Sequence, residues 1–422
     1  MLSRRHLLSA MPLMTASSLS ASLPASLSVP LPASMSDATP GSLSGSLSGS
    51  MPASQSPPPS AAPNRQGAPP SAVLSVRGAD LSSLLQEEAV GRRFRDRGRE
   101  APAERLLAAR GAGTVRLRVW VGPRPGDFDL ASALVLARRA HAAGLRVLLD
   151  LHYSDSWADE SNQAVPKAWA GQDLPTLADT VRTYTRDTVR AFAAQGTPVD
   201  MVQIGNEITN GMLWPQGQIY TGGGDGTAVT ENWHGFLTLL KAGLQGATQG
   251  TSAPPRTVVH FANGCDGDGS RYFYDHLAAA GIRFDVLAVS YYAFWHGPLA
   301  SLKYNLTDLA TRYGKDILVA ETSYPWKLPS TNPEQYHVAS ADQLPDGALF
   351  PATPAGQTDY FDALRDLIAR LPGGHGLGFL AWEPAWLPGV TRNSDEEILY
   401  SNLTMFDWSG SALPSLAAFR TP

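Results

Sequence analysis

Short apolar runs recur along the chain from residue 72 onwards, and each ends in polar or aromatic residues. The runs cover residues 72–79, 114–120, 146–152, 201–206, 257–263, 284–291, 316–321 and 376–382. Because they are nearly continuous in apolar character, they are typical of parallel strands that are buried on both faces. Between them lie stretches with apolar residues at helical spacing, of which the clearest cover residues 131–143, 177–195, 230–248, 270–280 and 357–370.

Alternation of strand-like and helix-like segments predicts an α/β fold. Eight such units over residues 71–422 favour a single (β/α)8 TIM barrel over an open doubly wound sheet. No G-x-G-x-x-G follows the first strand-like run and no Walker A sequence occurs, so the pattern gives no support to a nucleotide-binding α/β protein.

The first 70 residues have a different composition. Arg4 and Arg5 precede a short apolar stretch, which is typical of a secretory signal, and we assign residues 1–30 to a signal peptide. The Ser-Arg-Arg-x-Leu-Leu order favours the twin-arginine type, with an ordinary signal peptide as the alternative. Residues 31–70 are rich in Ser, Pro, Ala and Gly and predict a disordered linker. We therefore expect a secreted, extracellular protein.

Charge and composition narrow the partners. The formal net charge is −5, which does not favour nucleic acid or a polyanionic substrate. A neutral substrate fits better, and the 10 Trp and 13 Tyr suit stacking on sugar rings. The single cysteine, Cys265, excludes a cysteine-based metal site. We expect a monomer with no membrane span and no cofactor for catalysis.

The carboxyl ends of the predicted strands carry a dense set of ionisable, amide and aromatic residues. These ends include Asp80, Arg118, His152, Asn206 with Glu207, Tyr291, Glu321 and Trp382 with Glu383. In a (β/α)8 barrel the active site lies at this end of the strands. Core packing does not require such residues there, so the clustering indicates a catalytic or binding rim.

Glu207 and Glu321 are the best candidates for a pair of catalytic carboxylates. They follow the fourth and seventh predicted strands, which lie roughly across a barrel from one another. Glycoside hydrolysis uses one protonated acid and one ionised carboxylate, which in retaining enzymes are about 5–5.5 Å apart. We predict that geometry here, with Glu383 and Asp155 as rival carboxylates.

Neighbouring residues suit supporting roles. Asn206 is placed to hydrogen-bond a sugar hydroxyl, and Arg118 to hold Glu321 ionised. His152 and Tyr291 are candidates for positioning and proton balance.

The motifs of zinc peptidases and serine esterases are missing. The sequence from Asp266 to Ser270 resembles a calcium loop only at its start, so we interpret it as an ordinary loop.

At these rim motifs the sequence resembles glycoside hydrolase family 53, the arabinogalactan endo-β-1,4-galactanases. The matching stretches include RLRVWVGP at 116–123, LDLHYSDSWAD at 149–159, VQIGNEITNGMLWP at 202–215, DVLAVSYYAFWHG at 285–297, VAETSYPW at 319–326 and FLAWEPAWLP at 379–388. They occur in order and cover essentially the whole chain after residue 76.

The resemblance implies a retaining enzyme of a barrel clan, with Glu207 as acid/base and Glu321 as nucleophile. It implies a β-1,4-galactan substrate, the side chain of type I arabinogalactan in pectin. By motif position, it also implies sugar contacts from Asn206, Tyr291, Trp295, His296 and Trp382, and in addition from Asp80, Trp169 and Trp386.

The sequence departs from the family in the loop after the eighth strand. Bacterial relatives often carry a long calcium-binding insertion after the position of Trp386. Here residues 387–400 are short, which argues against a structural calcium ion, although Asp395, Glu396 and Glu397 cluster in the stretch. The length of the oligosaccharide products cannot be inferred from the family either, because this loop shapes the cleft.

Two alternatives remain. Another retaining β-1,4-glycanase, a mannanase or xylanase, would keep the same barrel and glutamates. A non-catalytic carbohydrate-binding barrel would be indicated by loss of either carboxylate, and both are present.

Overall fold

A computed structural model describes residues 73–222, 228–388 and 399–420. The predicted signal peptide (1–30) and linker (31–70) lie outside these residues. Eight strands form the central sheet: β1 (Val76–Asp80), β2 (Thr114–Val119), β3 (Arg146–Leu151), β4 (Met201–Ile204), β5 (Arg256–Phe261), β6 (Val286–Tyr291), β7 (Asp316–Thr322) and β8 (Gly376–Ala381).

These strands close into a parallel barrel in the order β1-β8-β7-β6-β5-β4-β3-β2. The predicted (β/α)8 barrel is therefore confirmed. Each apolar run overlaps one strand of the barrel, and five of the eight strands end one or two residues before the polar or aromatic residue that closes the run. Glu207 thus lies in the loop immediately after β4, whereas Glu321 is the penultimate residue of β7 itself.

Helices surround the barrel: α1 (Leu84–Ala89), α2 (Ala103–Ala109), α3 (Leu130–Ala142), α4 (Leu174–Ala194), α5 (Trp233–Gln249), α6 (Gly267–Ala279), α7 (Ala293–His296), α8 (Leu299–Tyr313) and α9 (Pro354–Ala369). Within the described residues, no helix is both long and apolar enough to cross a membrane. Asp266 caps α6 by accepting a hydrogen bond from the Gly269 N–H at 2.9 Å, so the calcium-like sequence is a helix start.

Close approach of α4 and α5 depends on glycines. A Cβ added to Gly246 of α5 would lie 2.4 Å from the carbonyl oxygen of Arg182 and 2.8 Å from Cβ of Thr185, both on α4. Gly243 faces Ile204 at the end of β4 in the same way, at 2.5 Å. The two helices therefore pack backbone to backbone behind the strand that presents Glu207.

The barrel interior has two layers. Its apolar layer comprises Val76, Leu148, Met201, Val258, Val286, Ala288, Leu318, Ala320, Leu377 and Leu380. Because side chains alternate in a strand, residues an even number of positions further along the same strands also face inward. These are polar and buried: Asp80, Arg116, Asp150, Gln203, His260 and Ser290. A polar layer therefore covers the apolar one at the carboxyl ends of the strands.

Candidate active site

Glu207 reaches the cleft through a sharp turn after β4. Gly205 has φ +77° and Glu207 itself has φ 48°, both in the left-handed region that glycine adopts without cost and other residues rarely adopt. A Cβ at Gly205 would lie 2.5 Å from Ile208 Cγ2. The turn leaves Glu207 half-buried, with its Oε1 accepting a hydrogen bond from Ser290 Oγ at 2.5 Å.

Glu321 is aimed into the barrel by a bulge in β7. Val289 of β6 pairs with Val319, but Ser290 pairs with Glu321, so β7 has one extra residue between them. Bulges change the direction of the following side chains and are frequent beside active sites. Here the bulge makes the side chain of Glu321 point into the barrel, as that of Ser290 does. Glu321 is buried, with 6% exposure.

Strand β6 connects the two glutamates. Ser290 donates to Glu207, and Tyr292, just after the end of β6, donates from its hydroxyl to Glu321 Oε2 at 2.9 Å. Burial raises the pKa of Tyr292 far above its usual value, and the charge of Glu321 raises it further. The phenol therefore stays protonated and remains a donor.

Arg116 is the central cation of the polar layer. It is fully buried, and its guanidinium lies 2.8 Å from Glu321 Oε1, 2.8 Å from Asp150 Oδ2 and 3.1 Å from Asp80 Oδ2. It also donates to Asn206 Oδ1 at 2.8 Å. Burial alone would lower the pKa of Arg116, but Asp150, Glu321 and Asp80 together raise it. Glu321 thus has a permanent positive partner in Arg116.

Glu207 has the opposite environment. Burial raises the pKa of Glu207 well above the ordinary carboxyl value, and the charge of Glu321 raises it further. The hydrogen bond from Ser290 lowers this pKa in part. No arginine or lysine forms an ion pair with Glu207 among the described residues. The environment of Glu207 thus favours its protonated form, whereas Glu321 lies against a buried cation, an arrangement that suits the acid and the nucleophile of glycoside hydrolysis.

A second buried ion pair lies beside the first. Arg118 Nη2 is 2.8 Å from Glu383 Oε1, and Ser83 Oγ donates to Glu383 Oε2 at 2.6 Å. The Arg118 guanidinium lies 4.3 Å from the ring centroid of Phe128 and 4.2 Å from that of Trp157. This pair therefore supports the position of the Trp157 ring at the rim.

Aromatic side chains line this rim. Trp382, Trp386 and Tyr292 form one buried cluster, with Trp157 and Tyr400 packed against it. Trp382 lies 4.5 Å from Tyr400 between ring centroids, and Trp386 stacks on Tyr400 at 5.9 Å. Trp295 is more open, with 49% exposure. Flat apolar faces beside the carboxylates are suited to sugar rings.

Comparison with known proteins agrees with this geometry. The model of glycosyl hydrolase family 53 matches residues 76–419. The chain belongs to glycosyl hydrolase family 53. It is 38% identical over 351 residues to a probable arabinogalactan endo-β-1,4-galactanase A of Aspergillus fumigatus, covering 81% of this chain and 92% of that protein. It is 36% identical over 347 residues to an arabinogalactan endo-β-1,4-galactanase of Humicola insolens, covering 80% and 97%.

Solved structures give the same family. A structure from a study of two fungal β-1,4-galactanases is 35% identical with a TM-score of 0.72, covering 82% of this chain and 99% of that one. The family 53 catalytic domain of Ignisphaera aggregans is 34% identical with a TM-score of 0.75, covering 84% and 97%. The resemblance inferred from the rim motifs is thus confirmed.

One predicted contact of this family 53 chain is wrong. Arg118 does not hold Glu321; Arg116 does, two residues earlier on the same inward face of β2. Both arginines have the correct phase, so alternation could not choose between them. The strands of a barrel are tilted and staggered along its axis, and this stagger decides which residues lie at the same level. At the level of Arg118, the partner is Glu383.

The prediction that Tyr291 contacts the sugar is also wrong. Tyr291 has 0% exposure, stacks on Tyr360 of α9 with ring centroids 6.2 Å apart, and donates to the carbonyl of Gly297. It lies in the outward phase of β6, and Tyr292 takes the position beside Glu321. Ala288 and Ser290 point into the barrel. Because side chains alternate along a strand, this would have identified Tyr292, and not Tyr291, as the tyrosine that faces the cleft.

Two other residues at the predicted rim, Asp80 and His152, bind neighbouring protein groups. Asp80 is buried beneath the cleft as a partner of Arg116 and of Ser82. Both ring nitrogens of His152 are used by the protein, with Nε2 3.0 Å from Asp150 and Nδ1 accepting from Trp120 and Ala158. These two residues position others rather than facing a ligand.

Trp169 lies in a separate aromatic group with Tyr153 and Tyr184. His296 is half-buried, and burial lowers its pKa to about 4. Contacts of the sugar with Asn206, Trp295, His296, Trp382 and Trp386 stay predictions. The acidic residues Asp395, Glu396 and Glu397, on which the calcium question depends, lie outside the described residues.

Proposed function

We propose that this protein is a retaining endo-β-1,4-galactanase that cleaves the galactan of type I arabinogalactan. The observation that carries the proposal is the pair of opposed environments at Glu207 and Glu321, on a chain that belongs to family 53. Relatives named arabinogalactan endo-β-1,4-galactanase, at 36–38% identity, support galactan as the substrate.

In the first step, the ionised Glu321 carboxylate attacks the anomeric carbon while Glu207 gives its proton to the departing glycosidic oxygen. The carbon–oxygen bond to the leaving sugar breaks as the ester to Glu321 forms. Arg116 and Tyr292 hold both oxygens of Glu321 before the attack, so the nucleophile is oriented without reorganisation.

In the second step, Glu207 is a carboxylate and acts as the base. It takes a proton from water, the water oxygen bonds to the anomeric carbon, and the ester to Glu321 breaks. Both glutamates return to their starting protonation states, and the anomeric configuration is retained after two inversions. The chemistry requires no cofactor, and we further propose that the enzyme is secreted and acts as a monomer.

Reducing-sugar release from unbranched β-1,4-galactan tests the proposal, with mannan and xylan in parallel and EDTA in a matched set. Release from galactan alone is expected, without an effect of EDTA. Proton NMR of the fresh products should show the β-anomer first, and the α-anomer first would exclude retention. Release from mannan or xylan alone would keep the glutamates but reject the substrate.

A further inference from the structure

Two residues behind Glu207 have no part in the mechanism above. His260 and Ser290 face the barrel interior from β5 and β6, and both have 0% exposure. His260 Nε2 lies 3.0 Å from Ser290 Oγ, and Ser290 Oγ lies 2.5 Å from Glu207 Oε1. The three side chains form one continuous hydrogen-bonded line that ends at the catalytic acid.

The direction of this line follows from donor and acceptor counting. The backbone N–H of Glu207 donates to His260 Nδ1 at 3.4 Å, which requires Nδ1 to be unprotonated. Asn206 Oδ1 also lies 3.0 Å from Nδ1, but this amide oxygen already accepts from Arg116 at 2.8 Å. Gln203 Nε2 lies 3.2 Å from Nδ1 as well, so two N–H groups and one acceptor face Nδ1, which assigns Nδ1 the role of acceptor.

A neutral imidazole has one N–H, which must then be on Nε2. Burial lowers the pKa of His260 well below its usual value, and the charge of Arg116 lowers it further, followed by His152. His260 is therefore neutral, and its Nε2–H donates to Ser290 Oγ. The single hydrogen of Ser290 is then directed to Glu207 Oε1.

Oε1 of Glu207 is occupied as an acceptor, whereas Oε2 is not. Within residues 73–222, 228–388 and 399–420, Ser290 is the group that hydrogen-bonds the carboxyl. Oε2 is not among the buried polar atoms left without a partner, so it lies on the open side of this half-buried residue. The charges that face Glu207 are those of Glu321, Glu160 and Asp159.

We propose that His260 and Ser290 form a positioning relay that keeps Glu207 Oε1 as an acceptor and directs the catalytic proton to Oε2, the oxygen open to the cleft. The inference rests on the proposed role of Glu207 as the acid of glycoside hydrolysis. Neither relay residue touches the reacting atoms; both act through Glu207.

Ser290→Ala tests the relay by kinetics. Without the hydroxyl, the proton of Glu207 is free to occupy either oxygen and the carboxyl group loses its orientation. We expect kcat/KM on a galacto-oligosaccharide to fall about tenfold, because bond cleavage there needs the acid. On a dinitrophenyl β-galactoside, whose leaving group needs no proton, kcat/KM should stay within about twofold.

The pH profile adds a reading that a merely structural role would not change. Because the Ser290 hydrogen bond lowers the pKa of Glu207, its removal should move the alkaline limb of kcat/KM to higher pH. Equal losses on both substrates, or an unmoved alkaline limb, would overturn the relay.

Ser270→Ala is the matched control, since Ser270 is also fully buried and also loses a hydroxyl hydrogen bond, at 3.1 Å to Asn305. Ser270 lies in α6, outside the barrel interior. The control should keep the substrate ratio and the pH profile of the wild type, even if its thermal stability falls.

A measurement on the wild type tests the relay without relying on activity or on a variant's folding. Nitrogen-15 NMR of protein labelled at histidine, with His260→Gln to assign the signal, reports which ring nitrogen carries the proton. The Nε2–H tautomer is expected. The Nδ1–H tautomer would overturn the relay, because Ser290 would then donate to His260. Failure of the wild type to hydrolyse galactan would reject the proposed substrate alone and leave this test intact.

Discussion

At the scale of the residue, the two glutamates differ through their neighbours rather than through their own chemistry. Glu321 lies against the guanidinium of Arg116 and accepts from Tyr292, whereas Glu207 accepts one neutral hydroxyl in a buried setting. Positive charge and hydrogen bonds favour an ionised carboxylate, and burial with a like charge nearby favours a protonated one. These environments suit the proposed roles of Glu321 as nucleophile and Glu207 as acid.

Glu321→Ala should abolish hydrolysis while sparing the fold. Loss of the nucleophile is expected to lower kcat by at least about 10³-fold. Arg116 keeps Asp80 and Asp150 as partners, so no buried cation is left without a counter-charge. Reducing-sugar release and circular dichroism check the two halves of the prediction.

Glu100→Ala, at an exposed carboxylate on the short strand Arg99–Glu100, is the control and should keep full activity. Near-normal hydrolysis by Glu321→Ala would disprove its role as nucleophile.

Glu383 should make stability depend on pH. Burial, followed by the charge of Asp80, raises its pKa to about 8, and the charge of Arg118 and the hydrogen bond from Ser83 offset only part of this rise. A carboxyl group whose pKa is higher in the folded than in the unfolded chain stabilises the fold fully below its unfolded pKa of about 4.3, and that contribution is lost as pH rises through the folded pKa. The melting temperature should therefore fall as the pH rises from about 4 to about 8, between the unfolded and the folded pKa of this carboxyl group.

Glu383→Gln should flatten this slope, although Glu207, whose pKa is also raised, contributes in the same direction. Ser270→Ala, which removes a buried hydrogen bond without altering a carboxylate, is the control and should keep the slope of the wild type. An unchanged slope in Glu383→Gln would contradict the assignment.

At the scale of the element, strand phase and one bulge decide which side chains reach the cleft. Alternation along β2 and β6 places Arg116, Ser290 and Tyr292 inward, and this could have been worked out from the sequence once the inward phase was known. The extra residue in β7 that turns Glu321 inward has no comparable signature, because the run VAET reads the same with or without a bulge.

The close contact of α4 and α5 gives a prediction with a definite sign. In a helix interior, replacing glycine by alanine would by itself stabilise by about 1 kcal/mol. At Gly246 the added Cβ would lie 2.4 Å from the Arg182 carbonyl oxygen, so Gly246→Ala should instead destabilise by about 1–3 kcal/mol. Denaturant unfolding measures the difference.

Lys241→Ala, at an exposed position of the same helix, is the control and should shift the unfolding midpoint little. An increase in stability for Gly246→Ala would show that the two helices are not in backbone contact at this point.

At the scale of the whole molecule, barrel closure gathers residues that are far apart in sequence. Asp80, Arg116, Asp150 and Glu321 come from β1, β2, β3 and β7 and meet in one ion cluster. No single helix–strand unit contains this cluster, because its members come from four different strands. Removing one partner from such a buried charge network costs several kcal/mol. The catalytic pair therefore depends on the complete barrel.

Removal of residues 1–70 should leave the catalytic unit intact. The family match begins at residue 76, and the segment before it has the composition of a signal peptide and linker. The truncated chain should keep the kcat/KM and melting temperature of the longer chain, measured on galactan and by thermal unfolding. Loss of activity with the melting temperature unchanged would mean that the segment takes part in catalysis.

The sequence by itself determined the eight strands and the barrel, and it selected the two glutamates proposed as the catalytic pair, because buried parallel strands are apolar throughout and the residues that close them meet at one rim. It also contained the family motifs. Only the tertiary structure decided the partners: that Arg116 and not Arg118 holds Glu321, that Tyr292 and not Tyr291 faces the cleft, and that His260 and Ser290 stand behind Glu207. Strand stagger and a bulge set these contacts, and both depend on how all eight strands pair at once.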